Sequence, residues 1–333
     1  MTPAAHIAAA IEILDSILRG ERAEASLTRW ARSNRFAGSG DRSAIRDIVF
    51  DALRQKKSLT KRTKKISGRS WVIALLYKRE VDLDKYFGVS RYSPPKLKKS
   101  ELDLLPLEND CDFYDIPDWL WSKWQETLGG KAKNVANTLK ERANIFLRVN
   151  ITKCARKDAI QSLQKDGIIS KLHPTVATAL ILNKGTRNIK NSEAYNSGLV
   201  ELQDASSQAS ILQLSTDQNG PILDYCAGGG GKALALSAYL NKPIFAHDSN
   251  LLRMKDLPKR ASRSGADIRI IKSHNLRNSY YGLVFCDAPC SGSGTWRRDP
   301  EGKWSITLRD YQKLLSLQEN ILRIAAQLVK AGG

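Results

Sequence analysis

The chain has 333 residues, 42% hydrophobic and 26% charged, which is enough for two or three domains with hydrophobic cores and excludes a disordered or collagen-like protein. Its 53 lysines and arginines outnumber 34 acidic residues, and the resulting net charge of +19 favours a polyanionic partner such as nucleic acid. No apolar run approaches the ~18 to 20 residues that cross a bilayer, and acidic residues interrupt residues 4 to 18, so neither a membrane span nor a secretory signal is predicted.

The five cysteines are scattered along the chain without a Cys-x-x-Cys pair. This arrangement argues against a disulfide framework or a zinc knuckle, and no metal site is predicted. We expect a cytoplasmic protein in a reducing compartment, and a monomer.

Residues 4 to 80 predict a helical domain. Apolar side chains recur at helical spacing in two stretches, residues 7–18 and 45–53. Residues 38–40 contain two glycines that break the pattern. Asp41 stands where an N-cap would open the second helix.

Most of the basic surplus is local, because residues 51–100 alone carry a net charge of +11. Within them lies a run of basic residues without an interleaved acid. Mutual repulsion disfavours leaving such a run without a counter-ion partner, so it predicts a phosphate-contacting surface rather than a solvated helix face. The run comprises Lys56, Lys57, Lys61, Arg62, Lys64, Lys65 and Arg69.

The central part of the chain predicts a linker and a second module. Residues 91–100 contain two prolines and four basic residues, which is typical of an extended linker. Trp119, Trp121 and Trp124 follow an acidic stretch, and the i, i+3 spacing of Trp121 and Trp124 indicates packing rather than a base-stacking platform. Strand-like and helical runs then alternate and predict a small α+β module. The predicted domains are a helical domain at 1–92, a linker and helical segment at 93–140, the α+β module at 141–205 and a further domain at 206–333.

The last of these domains opens with a strand, a glycine turn and a helix. Residues 221–226 form an apolar strand containing an acid, and Ala227, Gly228, Gly229, Gly230, Gly231 and Lys232 follow. This order is typical of a nucleotide-binding crossover. Ala233 occupies the position where a P-loop needs serine or threonine and where the dinucleotide pattern needs its third glycine, so ATP and nicotinamide cofactors are disfavoured.

A second strand, residues 243–246, leads to Asp248, sixteen residues after Lys232. A carboxylate at this strand end can accept hydrogen bonds from both ribose hydroxyls of a nucleoside. S-adenosylmethionine is therefore a candidate cofactor.

Two further strands also lead to polar residues. Residues 268–271 lead to Asn275, and residues 283–286 lead to the sequence Asp287-Ala-Pro-Cys290-Ser-Gly-Ser-Gly. Enzymes that methylate exocyclic amines would have Asn/Asp-Pro-Pro-aromatic here. Cytosine C5 is a poor nucleophile until a thiolate adds to C6, so a cysteine beside the base makes chemical sense. Cys290 could also be a small buried hydrophobic residue, but this context favours a site role.

Three segments together resemble the Nop/Sun family of RNA (cytosine-5)-methyltransferases: Asp224–Lys232, Gln203–Gln208, and Asp287–Gly294 with Arg297-Arg298-Asp299-Pro300 and Lys303-Trp304. The resemblance covers about residues 140–333, and the helical start resembles the NusB-like domain of the bacterial ribosomal RNA branch. It implies an α/β fold, in which a Rossmann-like methyltransferase sheet is preceded by an all-helical NusB-like RNA-binding domain and a small α+β RNA-binding module. The implied substrate is small-subunit ribosomal RNA.

The resemblance also implies site residues. The implied S-adenosylmethionine contacts are Cys226, Ala227, Gly228, Gly229, Gly230, Gly231, Lys232, Asp248, Asn275 and Asp287. Arg297 and Arg298 join the predicted RNA contacts, and Cys290 is the implied catalytic residue.

The chain departs from the family's pattern in three places. Gly228-Gly229 replace Ala-Pro, which predicts a looser turn, and Asn275 stands where the family commonly has an aspartate. The family continues from a turn such as Ala331-Gly332-Gly333 into a strand that ends in Thr-Cys, and that cysteine is the nucleophile. We therefore expect a truncated catalytic domain, inactive alone, that lacks about three of seven strands and exposes a strand edge and an apolar helix surface.

The implied mechanism begins when a thiolate adds to C6 of an unpaired or flipped cytosine. C5 then takes the methyl group, a base removes the C5 proton, and the thiol is eliminated. Asp287 would orient the cytosine and Cys290 would assist release. Alternatives are that Cys290 is itself the nucleophile, as in DNA cytosine methyltransferases, and that the protein is a non-catalytic RNA-binding protein with the same fold. A third and weaker alternative is membrane-surface binding through residues 56–69, because that run lacks an apolar stripe.

Overall fold

The computed structural model describes residues 1–333. They form two compact units, one made of residues 1–143 and 291–312 and the other of residues 144–290 and 313–333. None of the helices is both long enough and apolar enough to span a membrane. The domain boundaries drawn from the sequence stay predictions.

The first unit is helical, as predicted. Its helices are α1 (Pro3–Leu18), α2 (Ala23–Ser33), α3 (Ser39–Arg54), α4 (Lys56–Arg62), α5 (Gly68–Lys78), α6 (Asp110–Tyr114), α7 (Asp118–Leu128) and α8 (Lys131–Leu139). Helix α5 lies at the centre of the main core, and its residues from Trp71 to Leu75 are all buried because it is packed on every side. A Cβ at Gly68 would lie 2.3 Å from the carbonyl oxygen of Ile11, so the close approach of α5 to α1 requires glycine.

Helix α3 begins at Ser39, before the predicted N-cap Asp41. Gly38 occupies the N-cap position, and the carboxylate of Asp41 accepts a hydrogen bond from its amide at 2.9 Å. The N-cap prediction was wrong by three positions, because the capping carboxylate reaches back from the first turn of the helix.

A second, smaller core of the first unit collects the tryptophans. Trp121 is 5% exposed and packs with Ile116 and Trp296, whereas Trp119 and Trp124 are only partly buried at the edge of this cluster. The packing prediction is confirmed for Trp121, and the other two tryptophans retain exposed surface.

The second unit begins with the predicted α+β module. Its elements are β1 (Ile145–Val149), α9 (Arg156–Lys165), β2 (Ile169–Leu172), β3 (Ala179–Lys184), α10 (Glu193–Asn196) and β4 (Val200–Leu202). The strands form an antiparallel sheet in the order β2-β3-β1-β4. Its core includes Leu147, Leu163 and Leu180, each fully buried.

The rest of the second unit is a parallel sheet with helices. Its elements are α11 (Ala205–Leu212), β5 (Ile222–Asp224), α12 (Gly231–Leu240), β6 (Ile244–Ala246), α13 (Leu257–Ser264), β7 (Ile268–Ile270) and β8 (Leu283–Phe285). The strand order is β7-β6-β5-β8 with all neighbours parallel. This is the Rossmann-like arrangement expected from the sequence, with four strands rather than seven.

The last two helices are α14 (Glu301–Ser305) and α15 (Leu308–Leu328), of which α14 belongs to the first unit. Strand β8 lies at an edge of the parallel sheet, and α15 exposes Leu315, Leu317 and Leu322. The strand edge and the apolar helix surface expected from the sequence are therefore present.

Candidate functional site

The parallel strands β5, β6 and β8 end level with one another at their carboxyl ends. Asp224 on β5 pairs in register with Ala246 on β6 and with Phe285 on β8. The residues that follow these strands therefore share one edge of the sheet, where open α/β folds bind ligands. This edge carries the predicted residues Asp248, after β6, and Asp287, after β8.

The glycine turn after β5 has a defined shape. Gly228 and Gly230 have positive φ angles of 50° and 80°, a region that favours glycine. A Cβ at Gly230 would lie 2.1 Å from the side chain of Leu257 on α13. The turn is therefore a close-packed bend that leads into α12, and not a flexible connection.

Asp248 holds this turn in place. Its buried carboxylate accepts hydrogen bonds from the amides of Gly228 and Asn250, both at 2.9 Å. The guanidinium of Arg253 forms an ion pair with it at 3.2 Å, and also lies beside Gly228. The carboxylate predicted to accept ribose hydroxyls is thus preorganised by backbone amides and covered on one side by Arg253.

Asp224 is the least compensated polar group of the site. It is 0% exposed, and neither carboxylate oxygen has a hydrogen-bond partner. Burial and, to a lesser extent, the charge of Asp287 raise its pKa to about 7, although Lys232 and the nearby amides of Cys226 and Ala233 oppose the shift. The sequence shows this acid at the end of a strand, but sequence reasoning did not predict it as a site residue.

The remaining predicted residues differ in their surroundings. Lys232 forms an ion pair with Asp287. Burial raises the pKa of Cys226 to about 12 and that of Cys286 to about 11, so neither thiol is a ready nucleophile. Cys290 is exposed, and Asn275 is exposed in a 3₁₀ turn, with no hydrogen bond from its side chain to the other predicted residues.

A network from the α+β module supports the glycine turn. The amide of Gln203 donates to the carbonyl of Gly231 at 3.2 Å, and its oxygen accepts from buried Arg148 at 2.7 Å. Arg260 donates to the carbonyl of Gly229, and Glu201 pairs with both Arg260 and Arg263, at 3.4 and 2.6 Å. In the sequence, Gln203 stands out only as part of the Gln203–Gln208 motif. Its partners could not be predicted, because they come from separate segments without a common spacing.

The basic run lies in the first unit, and the acidic stretch after it compensates part of its charge. Lys57 pairs with Asp112 and Asp118, at 3.1 and 2.6 Å, and Lys64 pairs with Asp103. Arg69 pairs with Glu101 at 2.6 Å. Acids that are distant in sequence therefore supply part of the counter-charge that the run needs, and its contact with RNA phosphates stays a prediction. The members without an ion pair in the chain are Lys56, Lys61, Arg62 and Lys65.

The two predicted arginines of the first unit lie after the Asp287–Gly294 motif. Arg297 donates hydrogen bonds to the carbonyls of Glu141 and Arg142, at 3.2 and 2.8 Å, so it supports the local backbone. Arg298 donates from its guanidinium to the carbonyl of Gly294 at 3.5 Å. Both remain predicted RNA contacts.

One group of possible metal ligands also lies in the first unit. Ligand atoms of Cys111, Asp112 and Asp118 lie within 4.8 Å of one another. The ammonium of Lys57 contacts both carboxylates. A lysine therefore already neutralises the charge that a cation would balance.

Two family models match this chain. The ferredoxin-like domain of RsmF/B-like methyltransferases matches residues 116–189, and the 16S rRNA methyltransferase RsmB/F model matches residues 209–333. The probable ribosomal RNA small subunit methyltransferase B of Bacillus subtilis (strain 168) is 29% identical over 227 residues, which are 65% of this chain and 50% of that protein. The chain spans about half the length of the curated relatives that it matches.

Solved structures share the fold. The crystal structure of PH0851 has a TM-score of 0.75 at 20% identity, over 100% of this chain and 85% of that chain. NSun6 from Pyrococcus horikoshii, solved with SFG, has a TM-score of 0.53 at 16% identity, over 66% of this chain and 81% of that chain. At these identities the likeness concerns the fold alone. The family-model matches, the curated relatives and the motifs at the strand ends agree, and this chain belongs to the Nop/Sun family of RNA methyltransferases, in its bacterial small-subunit branch.

Proposed function

We propose that this protein takes part in S-adenosylmethionine-dependent methylation of cytosine C5 in small-subunit ribosomal RNA. In this proposal, the parallel-sheet edge binds the cofactor and the cytosine, and the helical first unit, which we regard as NusB-like, binds RNA. The α+β module is the second RNA-binding element.

One observation carries the proposal. The strand register brings the glycine turn, Asp248 and Asp287 to one edge, where the amide of Gly228 donates to Asp248 and Lys232 pairs with Asp287. A nucleoside with a charged tail needs close-packed backbone, a ribose acceptor and nearby carboxylates. The solved NSun6 structure with SFG, an S-adenosylmethionine analogue, supports the same cofactor class for this fold.

The charges of the edge suit a cationic ligand. Asp224 is buried without a hydrogen-bond partner, and the charge of Asp287 further disfavours its ionised form. A sulfonium or ammonium group beside these carboxylates would offset their repulsion. Gly228 and Gly230 allow the turn its left-handed backbone and its close packing, which fix the shape of the backbone that a ligand would meet.

The residues of the chain have separate roles in this proposal. When bound, S-adenosylmethionine supplies an activated methyl group. Asp248 holds the ribose, and Lys232 balances the charge of Asp287. Asp287 accepts a hydrogen bond from the exocyclic amine of the cytosine and orients its ring. Exposed Cys290 assists release of the product, while the partly buried thiols of Cys226 and Cys286 stay protonated.

Cytosine C5 becomes nucleophilic when a thiolate adds to C6. The carbon–sulfur bond breaks again after C5 has gained the methyl group and lost its proton. We propose that the attacking thiolate is none of the cysteines in residues 1–333, so that this chain alone gives no turnover.

Calorimetry with S-adenosylmethionine tests the cofactor site. We expect saturable binding to residues 1–333 and clear weakening in Gly230→Val, where a side chain would clash with Leu257 and distort the turn. Gly167→Val is the matched control, because Gly167 also has a positive φ but has open space around it. Absence of any cofactor binding, with RNA binding retained, would favour the non-catalytic alternative.

RNA that contains 5-fluorocytosine tests the nucleophile. The fluorine cannot leave as a proton does, so a C6 adduct persists through denaturing electrophoresis. We expect no adduct with residues 1–333. An adduct that disappears in Cys290→Ala and persists in the control Cys154→Ala would instead identify Cys290 as the nucleophile.

A further inference from the structure

A groove of about 540 Å³ lies in the first unit, between α4 and the residues around Trp119 and Trp304. We propose that this groove binds a single unpaired nucleotide of RNA, with its base stacked on an indole ring and its flanking phosphates on Lys56 and Lys61. The inference rests on the proposed RNA substrate, and it adds a base-specific subsite to the basic run.

The aromatic wall of the groove is fixed in orientation. The indole nitrogen of Trp304 donates to the carbonyl of Leu53 at 2.6 Å, and the ammonium of Lys303 lies 4.5 Å from the centre of its ring. Trp119 is partly buried, and its ring centre lies 5.8 Å from that of Tyr311. Side chains held in this way lose little freedom when a base stacks on them, which favours binding.

The basic wall supplies uncompensated charge. Lys57 is neutralised by Asp112 and Asp118, whereas Lys56 and Lys61 form no ion pair within the chain. An apolar peptide in this groove would leave both ammonium groups without partners. A nucleotide offers a flat π-face and phosphates together, and so matches both walls.

A neighbouring cavity provides a contrast within the same surface. It measures about 600 Å³, and its lining has no aromatic side chain. The lining includes the lysines Lys64, Lys65, Lys96 and Lys98 and the acids Glu101 and Asp103. Such a cavity can contact phosphates but has no ring on which a base could stack. The basic run at residues 56–69 therefore has a base site at its start and a backbone site further along.

Anisotropy titrations of residues 1–333 with a fluorescent single-stranded RNA test the stacking. We expect Trp119→Leu to weaken binding about five- to hundredfold, the range of a lost base–aromatic stack, with an unchanged dependence on salt. Lys61→Gln should reduce the slope of log affinity against log salt by about 0.7, because one phosphate contact is lost. Trp119→Phe should restore most of the affinity.

Trp124→Leu is the matched control, because Trp124 borders the same small core but does not line the groove. Circular dichroism and thermal unfolding establish that each variant is folded. Photocrosslinking with 5-iodouridine RNA locates the contact, and we expect crosslinked peptides that contain Trp119 or Trp304.

The outcomes separate this inference from the proposed function. Unchanged affinity of folded Trp119→Leu, together with crosslinks only outside the groove, overturns the base site and leaves the proposed RNA substrate intact. Failure of the wild-type chain to bind any RNA overturns both.

Discussion

Each of the two units contains a fully buried aspartate, and the two differ in their partners. Asp115, in the first unit, accepts hydrogen bonds from the amide and hydroxyl of Ser58, at 2.8 and 2.9 Å, and lies 3.9 Å from Lys140. Asp224, in the second unit, has no hydrogen-bond partner for either oxygen. Both have a raised pKa because both are buried.

The difference indicates two roles for a buried carboxylate, one structural and one in a binding site. Asp115 contacts Ser58 on α4 and Lys140 just after α8, and the charge of Lys303 on α14 also favours its ionised form, so its carboxylate joins segments of the first unit. Asp224, beside the glycine turn, is favoured in its ionised form only by the charge of Lys232 and the nearby amides of Cys226 and Ala233, and neither oxygen accepts a hydrogen bond of normal geometry. Buried polar groups are normally satisfied, and an exception at a strand end is typical of a site that is completed by a ligand.

Replacing Asp115 by asparagine should produce the largest effect. Its φ of 57° is left-handed, which asparagine tolerates, so the substitution removes charge without adding backbone strain. Asparagine keeps one acceptor oxygen for the two donors of Ser58, and its NH₂ group would face the other donor in a buried site. Lys303, 1% exposed, and Lys140 would also lose their buried counter-charge. We expect Asp115→Asn to lower the free energy of unfolding by about 3 kcal/mol in urea titrations.

The exposed pair between Asp103 and Lys64 provides the control. Asp103→Asn should leave the urea midpoint almost unchanged, because exposed ion pairs contribute little. If Asp115→Asn were as stable as the wild type, the buried carboxylate of Asp115 would not stabilise the first unit.

Replacing Asp224 by asparagine should instead raise the free energy of unfolding. The folded-state pKa of Asp224, about 7, lies above its ordinary value of 3.8, so ionisation destabilises the fold as pH rises between these values. We expect Asp224→Asn to be more stable than the wild type by about 1–3 kcal/mol at pH 8. The difference should vanish as pH falls below 3.8, where Asp224 is protonated in both the folded and the unfolded state.

Thermal or urea unfolding across this pH range measures the effect. A variant that is less stable than the wild type at pH 8 would indicate that Asp224 has favourable partners, as Asp115 does. S-adenosylmethionine should bind more weakly to Asp224→Asn, which distinguishes a ligand-completed site from a simple packing defect.

Asp248 is also buried at the site, but unlike Asp224 it accepts hydrogen bonds from backbone amides. Asparagine has one acceptor oxygen instead of two, so Asp248→Asn loses a hydrogen bond that shapes the glycine turn. We expect about a tenfold loss of S-adenosylmethionine affinity by calorimetry. Asp267→Asn, an exposed position beside β7 that pairs with Arg269, should bind normally.

The smallest expected effect concerns Arg253, because its guanidinium pairs with Asp248 and would compete with a ribose for that carboxylate. Its side chain is 54% exposed, so the pair contributes little. Arg253→Ala should bind S-adenosylmethionine about two- to fivefold more tightly, since the competing cation is gone. If Arg253→Ala bound S-adenosylmethionine more weakly than the control Arg269→Ala does, Arg253 would contact the cofactor instead of competing with it for Asp248.

Much of the fold followed from local patterns. All four strands of the parallel sheet lie within predicted strands, namely residues 222–224, 244–246, 268–270 and 283–285. Short apolar runs bounded by glycine or polar residues are typical of buried strands. The start of α3 was misplaced, because a carboxylate in the first turn can cap as well as one at the N-cap.

Part of the candidate site could likewise be predicted from the sequence, and part could not. The glycine turn, Asp248 and Asp287 could be found in the sequence, because each follows a strand and the chemistry of strand ends is general. The support from Arg148, Glu201 and Arg260 could not, because it joins segments that only the packing of the α+β module brings together.

The strand–turn–helix order, the family and the basic character of residues 56–69 could all be predicted, since they depend on residue type and spacing along the chain. Which charges remain without partners depends instead on how distant segments pack together. Four acids that local spacing does not connect with the basic run pair with it: Glu101 with Arg69, Asp103 with Lys64, and Asp112 and Asp118 with Lys57. They leave Lys56 and Lys61 uncompensated beside two indole rings. Electrostatic pairing depends on distance in space, and that distance is set by the fold.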